Sequence, residues 1–241
     1  MLRKILRFAD KWLGGVILML NLPMIRRVVF GSNRGKEQGS QPQTFVIIKT
    51  VGMGDAVLIL SVIDHLKKSI PNAAIIALTT PLTVGIWENQ PCFAEVINYD
   101  ILGKQRGIRS FLKLLRQLRG KQIDCVIDFE PYFNQTALLA MLLGAPRRIG
   151  LYYGASKRQY AFTDPVEINP EDHMLRSQMS LLEPLGIQAE IHCLKAPVVS
   201  EEDRKTLQQW LYCKQIPKDC PIVAVHAGSG GRGKARRWPR E

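Results

Sequence analysis

Cysteine, aromatic residues, long apolar runs and acidic residues are all scarce in this sequence. The five cysteines, at 92, 125, 193, 213 and 220, are odd in number and never spaced C-x-x-C. That excludes a disulfide scaffold or a zinc ribbon and favours a reducing compartment. Aromatics make up 7% of the chain and are not interleaved with its basic residues. With no RNA- or DNA-binding module in view, a nucleic-acid partner is not expected. The main apolar stretch near the amino terminus, Trp12 to Ile25, is broken by Asn21 and Pro23. It is too short for the roughly twenty apolar residues that a spanning helix needs.

With 241 residues, 46% of them hydrophobic, the chain has enough apolar material for one large domain, or one domain and part of another. The shortage of acid is decisive for partners. Against 33 Lys and Arg stand 21 Asp and Glu, a net charge of +12, so an anionic partner is favoured, and with nucleic acid not expected the candidates are phospholipid or a phosphorylated substrate. The excess is concentrated in residues 1–43 (+6), 101–160 (+8) and 228–241 (+4).

Arg3, Lys4 and Arg7 precede the apolar stretch, and Arg26 and Arg27 follow it. Residues 1–30 therefore read as a segment lying in the headgroup region of a membrane. A secretory signal peptide lacking a convincing cleavage site and a helix packed on the protein's own surface are the alternatives. Residues 31–43, GSNRGKEQGSQPQ, have the composition of a flexible linker.

From Thr44 strands and helices alternate. FVIIKT (45–50) runs into the turn VGMGD and a helix over 55–70, followed by strand 73–80, a helix near 82–90 and strand 95–100. A helix over 106–119 carries one apolar stripe, Ile108, Phe111, Leu112, Leu115 and Leu118, and a cationic one, Arg109, Lys113 and Arg116. Strand 124–130, helix 134–143 and strand 147–153 follow. This alternation predicts an α/β fold with a parallel sheet covered on both faces. Ser200, with Asp203 three positions on, predicts a further helix over 200–215, and PIVAVHAGSGG (221–231) a strand entering a second glycine-rich turn. Too few residues follow for a second α/β unit, so the chain reads as truncated there.

Glycine-rich turns after buried strands suit phosphate, but neither turn is a standard nucleotide motif. A dinucleotide fingerprint needs glycine where Val57 stands, the second strand ends in Thr79-Thr80 rather than an acidic residue, and no P-loop is present. The first turn does place Asp55 at the start of a helix, beside Gly52 and Gly54. Spacing alone leaves two readings for it: a helix cap, or a general base at the carboxyl end of a strand.

The stretches IIKTVGMGDAVLILSVIDHLKKSIPNAAI, CVIDFEPYFNQTALLAMLLGAPRRIGL, EDHMLRSQMSLLEPLGI and VAVHAGSGGRGKARRWPRE, in that order over nearly all of 44–241, resemble the ADP-heptose:lipopolysaccharide heptosyltransferases of glycosyltransferase family 9. The resemblance implies a GT-B architecture. A Rossmann-like acceptor-binding domain would occupy 44–199 and the start of a Rossmann-like donor-binding domain 200–241. It further implies an inverting, metal-independent transfer of a heptose from ADP-heptose to the inner core of lipopolysaccharide, with no cofactor and with Asp55 as general base. Gly228, Ser229, Lys234 and Arg236 fall in the family's donor-diphosphate loop, where the family has lysine at the position of Arg236.

Gly52, Gly54, Arg109, Lys113, Arg116, Arg147 and Arg148, with Lys157 and Arg158 nearby, are the expected contacts to the anionic, lipid-linked acceptor. His173 is expected to be a capping or hydrogen-bonded structural residue, and Cys125 and Cys193 small core residues. The resemblance places the protein in the cytoplasm, peripheral on the inner face of the inner membrane. The competing expectations are a non-catalytic acceptor- or membrane-binding fragment and a family member using another nucleotide sugar.

Overall fold

A computed structural model describes residues 42–225 apart from 102, 106, 189–193, 218 and 219. The expected membrane segment and nearly all of the linker, Cys193 and the donor-loop residues Gly228, Ser229, Lys234 and Arg236 lie outside the described residues. The chain divides into two units between Val198 and Val199.

In the first unit the β-branched runs become strands β1 (Thr44–Ile48), β2 (Ala74–Thr79), β3 (Glu95–Asn98), β4 (Cys125–Asp128), β5 (Arg147–Tyr152) and β6 (Asp164–Glu167). They form one parallel sheet in the order β3-β2-β1-β4-β5-β6. Helices α1 (Met53–Ser69), α2 (Val84–Trp87), α3 (Ile108–Arg119), α4 (Asn134–Leu143) and α5 (Met174–Met179) connect or follow the strands. Strands β2, β1 and β4 are nearly continuous apolar runs because helices cover the sheet on both sides. One core layer joins Phe45, Ile47, Ile75 and Ile127 to Ile59 and Ile63 of α1. The other joins Val46, Ile48, Leu78 and Val126 to Leu114 and Leu118 of α3 and Ala137 and Ala140 of α4. Alternate residues of the same strands serve opposite layers, as the period-two pleat requires.

The α/β class and parallel sheet match the sequence expectation, and four details differ. The helix near 82–90 is a single turn, pinned by the buried Trp87, whose Nε1 donates to the Ala56 carbonyl at 3.0 Å. On α3 the buried face is Leu114, Leu115 and Leu118, while Ile108 is exposed. The packed surface starts one turn into that helix, where the core layer lies beneath it. Strand β6 was not legible: it is four residues long and contains Pro165, which an edge strand tolerates because it lacks a second neighbour. Finally, Pro221–Val225 do not form the expected strand, and Ile222, Val223 and Val225 are exposed. Apolar alternation makes a strand only where a neighbour pairs with it, and no described residue does.

In the second unit α6 (Glu201–Cys213) begins as expected, with Ser200 Oγ accepting from the Asp203 amide at 3.0 Å. His173 likewise caps α5, its Nδ1 accepting from the Leu175 amide at 3.2 Å.

Close approach decides one position in the sheet. A Cβ on Gly150 of β5 would lie 2.2–2.6 Å from three ring atoms of Phe162, which is buried in the second core layer. Gly150→Ala is expected to lower stability by about 1–3 kcal/mol through overpacking. A urea midpoint unchanged from wild type would contradict this packing.

Candidate active site

The strand order reverses between β1 and β4, whose carboxyl ends frame the crevice where open α/β sheets bind ligands. The turns that leave these two strands carry the principal charged groups.

β1 runs directly into Lys49, whose side chain is only 2% exposed. A buried ammonium is costly unless paired. Lys49 Nζ donates to Asp55 Oδ2 at 3.1 Å and lies 3.7 Å from Glu130 Oε2. Asp55 stands three residues after Gly52, the residue that precedes α1. Its carboxylate bonds to Lys49 and not to an amide of its own helix, so the capping reading is displaced. The amino end of α1 still favours its negative charge. Among the described residues nothing bonds to Asp55 Oδ1, and the side chain is 36% exposed. Asp55 therefore has one oxygen fixed and one available.

Gly52 has φ +88, and a Cβ there would lie 2.8 Å from Asp55 Oδ2. Glycine thus serves both the left-handed turn and the room for the carboxylate. Gly54 has open space about it and plays no comparable steric part.

Glu130 is fully buried just beyond β4. Its Oε1 accepts from the Thr50 amide at 2.6 Å, the Thr50 hydroxyl at 2.9 Å and the Val51 amide at 2.8 Å. Its Oε2 receives no hydrogen bond and faces the Lys49 ammonium. From β2, Thr80 Oγ1 donates to the Thr50 carbonyl at 2.6 Å. The turn that presents Asp55 is therefore held from both neighbouring strands.

Beneath it lies a second buried pair. Asp128 Oδ1 accepts from the Glu130 amide at 3.0 Å, and Asp128 Oδ2 meets Arg158 Nη2 at 2.7 Å. Arg158 also donates to the carbonyls of Leu151, at 3.2 Å, and Glu130, and from Nη1 to the Thr136 hydroxyl at 3.3 Å. Burial raises the Asp128 carboxyl above the usual range, and the Arg158 charge opposes the rise.

Tyr132 and Tyr153 stack beside this edge with ring centroids 5.2 Å apart and hydroxyls 3.2 Å apart. Tyr153 is pushed up to about 12 by burial, by its bond to the neighbouring Tyr132 and by the negative charge of Asp55. It stays protonated at neutral pH. Burial likewise raises the Cys125 thiol, which lies in the core as expected.

The cationic residues are not all at this edge. Arg109, Lys113 and Arg116 are exposed on α3, as their spacing implied. Arg147 and Arg148 lie at the amino end of β5, in register with Cys125 and Val126, away from the Asp55 turn. Arg147 donates to Asp164 and the Pro184 carbonyl, and Arg148 to the carbonyls of Ala161 and Ala145 at 2.9 and 2.8 Å. Arg158 corrects the sequence reading, which grouped it with surface cations: it is 1% exposed and committed to Asp128. Lys49, Asp128 and Glu130 had no place in the sequence reading. Charged residues at the ends of two otherwise apolar strands were the available signal.

Residues 111–241, more than half of the chain, match the sequence pattern of glycosyltransferase family 9 (heptosyltransferase). The chain belongs to that family. The lipopolysaccharide core heptosyltransferase OpsX of Haemophilus influenzae is 25% identical over 173 residues, 70% of this chain and 48% of the relative. The chain spans about half the length of that curated relative. Among solved structures, a family 9 glycosyltransferase from Veillonella parvula superposes with a TM-score of 0.71 at 22% identity, over 82% of this chain and 56% of that one. The ADP-heptose lipopolysaccharide heptosyltransferase II of E. coli gives 0.59 at 20%, over 82% and 57%. E. coli heptosyltransferase WaaC with ADP gives 0.54 at 18%, over 64% and 50%. These likenesses show a shared parallel α/β fold over the part of each structure that the chain covers.

The Asp128–Arg158 pair generates a stability prediction. Arg158→Met leaves a buried carboxylate without its cation and should cost about 3–5 kcal/mol near neutral pH. Without that cation the Asp128 carboxyl rises further, so the native state takes up a proton that the unfolded chain binds only at lower pH. The cost should therefore shrink on acidification. Urea unfolding at pH 7 and pH 5 checks both the size and the direction.

Proposed function

We propose that the protein, with a donor-binding half, transfers a heptose from ADP-heptose to the inner core of lipopolysaccharide, with Asp55 as the catalytic base. The observation that carries this reading is the Asp55 carboxylate at the switch point of the sheet, fixed through Oδ2 by Lys49 and open at Oδ1. A base of this kind takes the proton of the acceptor hydroxyl as that oxygen attacks the anomeric carbon, and the bond to the diphosphate breaks in the same displacement with inversion. The leaving diphosphate needs positive charge and backbone amides. Gly228, Ser229, Lys234 and Arg236 are assigned that task by the family resemblance. Family membership and the names of the relatives support the transferase class and a nucleotide-sugar donor.

For an anionic acceptor, the exposed Arg109, Lys113 and Arg116 of α3 are the surface cations best suited to phosphates and carboxylates. Arg147 and Arg148, already bonded within the fold, are less free to act so. Residues 1–30 are assigned to the inner face of the inner membrane on their basic and apolar sequence. Among the described residues no helix is long and apolar enough to cross a membrane.

The test is release of ADP from ADP-heptose in the presence of a deep-core lipopolysaccharide acceptor. Asp55→Asn should lower the rate at least about 100-fold, the lower end of what a positioned base contributes, while donor binding changes little. Wild-type turnover by that variant would remove the base assignment. No release by the wild type would favour another nucleotide sugar or a non-catalytic, acceptor-binding role. Separately, deleting residues 1–30 should reduce co-sedimentation with anionic vesicles and leave the melting temperature of the domain unchanged. Undiminished sedimentation would discard the anchor.

A further inference from the structure

Glu130 is a buried acid that the proposed chemistry does not use directly. One of its oxygens is saturated by the turn that carries Asp55, and the other is left without a donor facing Lys49. Were its work only to staple the turn, a neutral glutamine would serve. The amide oxygen of glutamine can accept the same three hydrogen bonds, and no second buried carboxylate would be needed against one ammonium.

We infer that Glu130 is a positioning residue that sets the strength of the Asp55 base: it shares the Lys49 ammonium, so that Lys49 orients Asp55 without neutralising it. The inference rests on the role given to Asp55 above. The charges and titratable groups around that carboxylate are Lys49 from the end of β1, Glu130 and Tyr132 from the turn after β4, and Tyr153 from the end of β5. Of these Lys49 alone is cationic. Asp55 takes it at hydrogen-bond distance, 3.1 Å, and Glu130 at ion-pair distance, 3.7 Å. A base that owned this ammonium outright would hold the acceptor proton less strongly, and proton transfer would slow accordingly.

The two functions of Glu130, accepting the hydrogen bonds of the turn and sharing the Lys49 charge, separate by mutation in the intact protein, assayed with ADP-heptose and deep-core lipopolysaccharide. Glu130→Gln keeps length and hydrogen bonding but loses charge, whereas Glu130→Asp keeps charge but is one methylene short. Glu130→Gln is expected to lower kcat about 10- to 100-fold with KM values within about twofold, and to move the acid limb of the pH–rate profile to lower pH. Glu130→Asp should leave the acid limb where the wild type has it. A merely structural staple predicts the reverse: glutamine tolerated and aspartate damaging, with the limb unmoved in both. That result, or wild-type kcat in Glu130→Gln, overturns the inference. If Glu130→Gln does not fold, Glu130→Asp decides alone: kcat within a few-fold of wild type with an unmoved limb supports the charge role, and a large loss of kcat with an unmoved limb, the outcome of a staple that needs the full side-chain length, overturns it. Asp55→Asn is assayed beside them. Normal turnover there sinks the base assignment itself, whereas an inactive Asp55→Asn with an unaltered Glu130→Gln sinks only the role of Glu130.

Discussion

A buried ammonium is the constraint around which the carboxyl edge of this sheet is organised. Lys49 leaves an apolar strand into a place nearly closed to water, and its charge has to be met there. Two carboxylates do so from opposite sides of the switch point, Asp55 from the helix after β1 and Glu130 from the turn after β4. Neither acid is remote from its strand, so the alignment of β1 with β4 brings all three together. The same requirement fixes the surrounding backbone: Glu130 holds Thr50 and Val51, Thr80 holds Thr50 from β2, and Gly52 turns left-handed so that Asp55 has room.

A second buried pair supports the first. Asp128 ends β4 and bonds both to the amide of Glu130 and to Arg158, which also takes carbonyl oxygens from the ends of β4 and β5. Buried pairs of this kind contribute little net stability compared with apolar replacements, because desolvation offsets most of the attraction. What they do supply is a defined arrangement, since a displaced member would leave a charge stranded in the core. The available oxygen of Asp55 thus sits at the end of a polar chain of few alternative geometries, as acid–base chemistry demands.

The basic character of the chain divides along similar lines. Some cations, such as Arg109, Lys113 and Arg116, remain on the surface and contribute to the field an anionic ligand would meet. Others, above all Lys49 and Arg158, are consumed inside the fold. The buried carboxylates of Asp128 and Glu130 offset them, so net charge survives at the surface, but a count of lysines and arginines overstates the cations that a ligand can meet, and the α3 face becomes more important to any acceptor-facing role.

Much of the fold was legible in the sequence because local signals and final packing agree. The β-branched runs at 44–48, 74–79 and 125–128, the period of α1 and α4, and the Ser200 cap all act over a few residues and appear where expected. Asp55 was legible as a candidate through its turn and the family resemblance. Short β6, the single-turn α2 and the unpaired 221–225 were not, since a strand or a helical turn of that length depends on its neighbours more than on its own residues. Nor could the sequence distinguish Arg158 in the core from Arg116 on the surface, or join Glu130 to a lysine eighty-one positions earlier. By itself the sequence determined the alternation of strands and helices and therefore the parallel sheet. The tertiary structure alone decided which charges were removed from water, because pairing and desolvation depend on what lies across the sheet rather than along the chain.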